Sequence, residues 1–171
     1  LLSYLEKKFK VEKILSQECT IQRLSSLDYV VVSNFVALPQ SNIDYLIGNK
    51  SYLIYEHDHK YVNTRDPSKF KEFKIPYENL VNLNFYKAAK KVVCLSDIQV
   101  KILKESAALN NCVSIGTSLW HPKTLQYIKD LDKTKNSKAA VVDSRNPIKN
   151  TAKAAAFCRA KNIDCLLYTS D

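Results

Sequence analysis

Six short, β-branched apolar runs separated by helix-patterned segments constrain this chain more than any other feature. The runs are "DYVVVSN" (28–34), "SYLIYEH" (51–57), "KVVCLS" (91–96), "CVSIG" (112–116), "KAAVVDS" (138–144) and "DCLLY" (164–168). Their nearly continuous apolar character is how strands buried on both faces read. Between them, "PYENLVNLNFYKAAK" places Leu80, Leu83 and Tyr86 or Lys87 at helical spacing. "SDIQVKILKESAAL" opens on a Ser96 or Asp97 cap and stacks Ile98, Ile102 and Leu109 on one face. "NTAKAAAFCRAK" offers Asn150 or Thr151 as its cap. This alternation predicts an α/β fold, a Rossmann-like, mostly parallel sheet with helices on both faces.

One seam divides the pattern. The helical "KTLQYIKDL" is followed by the polar stretch "DKTKNSK" (132–138) and then a fresh β-α-β signal. The expected organisation is a domain over residues 1–118, a connecting helix and linker over 119–136, and the start of a second domain over 137–171. The chain has no Met and its last strand-like run stops abruptly. A piece of a longer protein is therefore expected.

Composition removes several classes. With two glycines in 171 residues, neither GxGxxG nor a Walker A loop is present, so a dinucleotide enzyme or P-loop ATPase gains no support. The five cysteines (19, 94, 112, 158 and 165) form no CxxC pair, and four lie in apolar runs. They read as buried, reduced thiols of a cytoplasmic protein. No apolar run approaches the roughly 20 residues of a membrane span, and no signal peptide is visible. The net charge of +9 favours polyanionic partners: nucleic acid, an anionic membrane surface or phosphorylated substrates. Peripheral contact with DNA or with the inner face of a membrane is the expectation that follows.

Ligands of open α/β sheets bind outside the carboxyl ends of the strands, and two such ends are chemically loaded. In "DSRNPIKN" (143–150), Arg145 and Lys149 precede a predicted helix, Lys153 follows one turn later, and no acidic residue lies between Arg145 and Lys161. Cations oppose the partial positive charge of a helix N-terminus, and a bound phosphate would resolve the conflict. The other is Glu56-His57-Asp58-His59, four titratable residues directly after a strand. The H-x-H spacing suits a metal, with Glu56 or Asp58 supplying oxygen. A carboxylate flanked by imidazoles also suits proton transfer or binding of sugar hydroxyls.

Three segments resemble the GT-B retaining glycosyltransferases of the large nucleotide-sugar group (group 1). "YLIYEHDHKY" is similar to the strand end whose histidine contacts the donor sugar, and its His-Asp-His resembles that of phage DNA α-glucosyltransferases. "AKKVVCLSDIQVKIL" resembles the strand, Ser, then helix near the end of the first domain. "VVDSRNPIKNTAKAAAFC" resembles the opening of the second. The resemblance implies two Rossmann-like domains, the first binding the acceptor and the second the nucleotide sugar. It implies that His57 contacts the donor sugar and that Asp58 orients or deprotonates the acceptor hydroxyl. Arg145 and Lys149 would neutralise the donor diphosphate, with Glu56 and His59 among the substrate contacts. A UDP-sugar is the expected donor, the acceptor being a glycan, a lipid-linked molecule or nucleic acid. No obligatory cofactor or metal is expected, since a basic pair can carry the leaving-group charge. The chain departs from the family in four ways: an Arg-to-Lys spacing one residue short, Asn150 for a glycine, no N-terminal glycine-rich loop, and no paired-glutamate motif.

Two other readings remain open on the residues alone. One is a non-catalytic nucleotide- or nucleic-acid-binding α/β module, with Tyr52, Tyr55, Phe70 and Phe73 among lysines as base-stacking candidates. The other is a metal-dependent hydrolase using His57, Asp58 and His59.

Overall fold

The computed structural model describes residues 1–131, 137–145 and 149–168. The chain divides into two compact units, Leu1–His121 and Pro122–Asp171. In the first, two short helices, α1 (Leu2–Leu5) and α2 (Ile21–Ser25), precede β1 (Val30–Val32), α3 (Gln40–Asn49), β2 (Tyr52–Glu56), α4 (Leu83–Ala88), β3 (Lys91–Cys94), α5 (Asp97–Ala107) and β4 (Cys112–Ser114). The second unit holds α6 (Pro122–Asp130), β5 (Ala139–Val142), α7 (Thr151–Ala160) and β6 (Cys165–Tyr168). Each of the six apolar runs contains one strand, and the fold is α/β with a four-stranded parallel sheet. The helix expected to connect the domains belongs to the second unit, and residues 132–136 of the expected linker lie outside the described residues.

Among the described residues every strand pairing is parallel, and the first sheet runs in the order β1-β2-β3-β4, while β5 pairs with β6; one isolated antiparallel bridge joins Val62 to Leu80. Register places Val32, Ile54 and Val92 in one row, with Tyr52, Glu56 and Cys94 on the same face. All six are buried. The alternate residues differ: Leu53, Tyr55 and Val93 are half-buried, and Val31 and Val113 are exposed. One face is therefore well covered, with Val30, Cys112 and Ser114 at its edge strands half-buried, and the other is not, so the burial on both faces that the apolar runs predict is not reached. Apolar content was even along each strand, so it could not reveal which face the core would use.

That core joins Leu24, Phe35, Ile43 and Leu46 to the sheet and to Phe85, Tyr86, Ile102 and Leu103. Tyr52 stacks on Phe85 at 4.8 Å between ring centroids, and its hydroxyl donates to the Phe85 carbonyl at 2.6 Å. It is a core residue, unavailable to stack on a base. Phe70 packs against the same core.

α5 begins where the sequence says it should. The Ser96 hydroxyl accepts from the Gln99 N–H at 3.3 Å, and the Gln99 side chain accepts from the Leu95 N–H at 3.1 Å. This is the S-x-x-Q capping spacing, with the glutamine reaching one residue further back. Its buried face is Gln99, Ile102, Leu103 and Ala107, while Ile98 is exposed. Of the expected face, Ile102 and Leu109 are buried and Ile98 is not, Gln99 with its capping bond lying inward instead. At α7, Asn150 occupies the cap position in a left-handed conformation but makes no side-chain cap bond. The Thr151 hydroxyl instead donates to the Val142 carbonyl at 2.6 Å, fastening helix to strand. Cys94 and Cys158 are buried, Cys19 and Cys112 half-buried. Cys165 is exposed, contrary to expectation, because all of β6 is.

Candidate functional site at the end of β2

β2 ends on Glu56, whose side chain lies inside the core at 0% exposure. One carboxylate oxygen accepts from the Asp58 N–H at 2.7 Å, the other from the Tyr86 hydroxyl. The Lys60 ammonium, itself 3% exposed, stands 3.6 Å from the first oxygen and 5.9 Å from the Phe35 ring centroid. Glu56 is thus both paired and hydrogen-bonded, as a carboxylate this deep must be, whereas the Lys60 ammonium has the ion pair and no hydrogen bond. Glu56 was expected to touch substrate. With no exposed surface and both oxygens engaged it does not; it anchors the segment that follows.

That segment is held at both ends. Beyond Lys60, Tyr61 and Val62 are buried, and the chain pairs with a second segment through Val81 N–H to the Tyr61 carbonyl (2.9 Å) and Asn63 N–H to the Asn79 carbonyl (3.0 Å). The Asn82 amide donates to the Lys60 carbonyl at 2.9 Å. His57, Asp58 and His59 are therefore a three-residue surface loop between two buried anchors.

Each of the three has a different setting. His57 is exposed, its Nδ1 3.4 Å from the Tyr55 carbonyl. Asp58 is half-exposed and ion-paired with Arg65 at 3.3 Å. His59 adopts a left-handed backbone, φ 49°, a region where His is more tolerated than most residues. Its Nδ1 lies 2.9 Å from the Tyr61 hydroxyl. Burial lowers the His59 pKa, opposed by the charges of Glu56, Asp58 and Asp66 and assisted by Lys60, so the imidazole is held toward its neutral form.

His59 lines a groove of about 270 Å³ with Arg65, Asp66, Ser68, Phe73, Ser96 and Gln99. The groove unites two strand ends, that of β2 and that of β3 leading into α5. It offers hydroxyls, an imidazole, a guanidinium and a carboxylate beside the apolar surfaces of Phe73 and Ile98, a lining suited to a polyhydroxylated ligand. Of the three loop residues, His59 reaches it directly and Asp58 is tied to it through Arg65. His57 does not line it. The larger of the two grooves, about 350 Å³ between α3 and the start of α4, contains none of the candidate site residues named from the sequence.

In the second unit, Arg145 and Lys149 are both exposed, between the carboxyl end of β5 and the start of α7. No acidic residue lies in the first turn of α7. Residues 146–148 between the two cations lie outside the described residues. Among the described residues no group of three His, Cys, Asp or Glu side chains is placed to hold a metal ion. No described helix is long and apolar enough to cross a membrane.

Sequence reasoning overlooked Lys60, Tyr86, Arg65 and Tyr61. Lys60 stands four residues after Glu56, and that spacing was the available signal. Tyr86 comes from a helix 30 residues away, and only the fold brings it to the carboxylate. No protein-family model, curated protein or solved structure matches this chain.

Proposed function

We propose that this chain acts as the acceptor-side domain and the opening of the donor-side domain of a GT-B-type retaining glycosyltransferase. It transfers a sugar from a nucleotide-diphosphate donor, a UDP-sugar by preference, to a hydroxyl acceptor without an obligatory metal. The observation that carries this reading is the His57-Asp58-His59 loop, anchored by buried Glu56 at the carboxyl end of β2 and bordering a polar groove. His57 contacts the donor sugar. Asp58, its carboxylate oriented by Arg65, accepts or orients the acceptor hydroxyl proton. His59 holds acceptor hydroxyls in the groove. Arg145 and Lys149 grip the diphosphate, where negative charge grows as the glycosidic bond breaks. The site works on the cytoplasmic side, with the acceptor on a glycan, a lipid-linked molecule or nucleic acid.

Calorimetry with UDP and UDP-glucose, with and without EDTA, tests this on the chain and on Arg145→Ala/Lys149→Ala. Chelator-resistant UDP binding that the double variant loses is the expected result. The basic net charge favours one second reading, a nucleic-acid-binding module. Binding of DNA or RNA with no response to UDP would select it, and binding abolished by EDTA would select metal chemistry.

A further inference from the structure

Among the described helices of more than six residues, α6 alone has no buried residue, whereas α3, α5 and α7 each bury at least one. Along α6, Leu125, Tyr127, Ile128 and the following Leu131 are 44%, 66%, 47% and 45% exposed. At about 3.6 residues per turn these four share one side. Lys123 and Lys129 fall on the two borders of that apolar arc, and Gln126 and Asp130 occupy the polar side. A helix packed inside a protein shows a buried stripe, and this one has none. Its unit is also basic: residues 122–171 contain ten Lys and Arg against five Asp and no Glu, a net charge of +5.

We propose that α6 is a membrane-surface helix that lies in the headgroup layer of an anionic bilayer. Leu125, Ile128 and Leu131 enter the acyl boundary, and Tyr127 sits at the headgroup level, as amphipathic aromatic rings do. Lys123 and Lys129 extend from the borders of the arc to anionic headgroups, their methylene stems covering apolar surface. Charge complementarity selects the bilayer over a second copy of the chain, since two α6 helices would bring their lysines together. It also selects the bilayer over DNA, which would meet the polar side and leave four apolar side chains in water. This surface is independent of the transferase reading and stands whether or not UDP binds.

Trp120, the only tryptophan in the chain, lies two residues before α6 in the sequence and is half-exposed, which makes it a built-in reporter. The test measures Trp120 emission and co-sedimentation with vesicles of phosphatidylcholine alone or mixed with phosphatidylglycerol. A blue shift and sedimentation with the anionic vesicles only, reversed at high salt, are expected. Leu125→Asp/Ile128→Asp should abolish both, and Lys123→Glu/Lys129→Glu should weaken binding by about tenfold or more. The aspartate variant should melt at the wild-type temperature, since no α6 residue is buried. A lowered melting temperature of the aspartate variant would mean that the face packs within the protein, and the proposal would be wrong. Equal binding to neutral vesicles, binding unaffected by either variant, concentration-dependent dimerisation lost in the aspartate variant, or binding of duplex DNA but no vesicle would each overturn it too.

Discussion

Replacing Glu56 with leucine probes whether the buried pair at the end of β2 holds the candidate site together. The Lys60–Glu56 separation of 3.6 Å corresponds to about 5 kcal/mol of gross attraction at an effective dielectric near 20, and desolvation of both ions offsets much of it. Glu56→Leu leaves the Lys60 ammonium buried without a counter-charge, at a cost of about 3–5 kcal/mol. It also strands two donors, the Asp58 N–H and the Tyr86 hydroxyl, at about 1–3 kcal/mol each. Even the low end, about 5 kcal/mol, matches the whole stability of a marginal domain. Lys60→Met should cost less, because Glu56 keeps both donors. Glu56→Leu/Lys60→Met removes both charges and should be more stable than Glu56→Leu alone by about 3 kcal/mol. Urea unfolding followed by far-UV circular dichroism gives the full double-mutant cycle. Losses that simply add within about 0.5 kcal/mol, or a Glu56→Leu loss below about 1 kcal/mol, would refute the coupling and the anchoring role with it.

Two further predictions concern the same unit. Because burial lowers the His59 pKa, the unfolded chain takes up this proton more readily than the folded one. Stability should therefore fall as pH drops below about 6.5 toward the lower folded value. NMR titration should place the His59 midpoint below that of a free histidine, and His59→Asn, which tolerates the left-handed backbone, should flatten this part of the pH–stability curve. A midpoint above about 6.5 would contradict the assignment. Ala108 ends α5 in a left-handed conformation, φ 52°, which costs an L-residue about 1–2 kcal/mol. After the entropy lost by glycine, Ala108→Gly should still stabilise the chain by about 0.5–1 kcal/mol in the same urea assay. A destabilising effect would show that the backbone there is not strained.

The sequence by itself determined the order of the strands, the parallel α/β class and the start of α5, because each rests on local physics. β-branched runs prefer a pleated backbone, and Ser96 and Gln99 are in capping reach of their own neighbours. It also placed His57, Asp58 and His59 at a strand end, since position along the chain is enough for that. The α3 crossover between β1 and β2 carried no comparably clear pattern. Only the tertiary structure decided which face of the sheet is covered, which side of α5 is buried and which member of "EHDH" meets the groove. Glu56 looked like one more polar residue of the loop. It became the loop's foundation through Tyr86, which lies 30 residues away, and Lys60, whose ammonium is stable in the core only beside that carboxylate. Desolvation and the pairing that offsets it depend on what surrounds a side chain in space, and no local pattern records those surroundings.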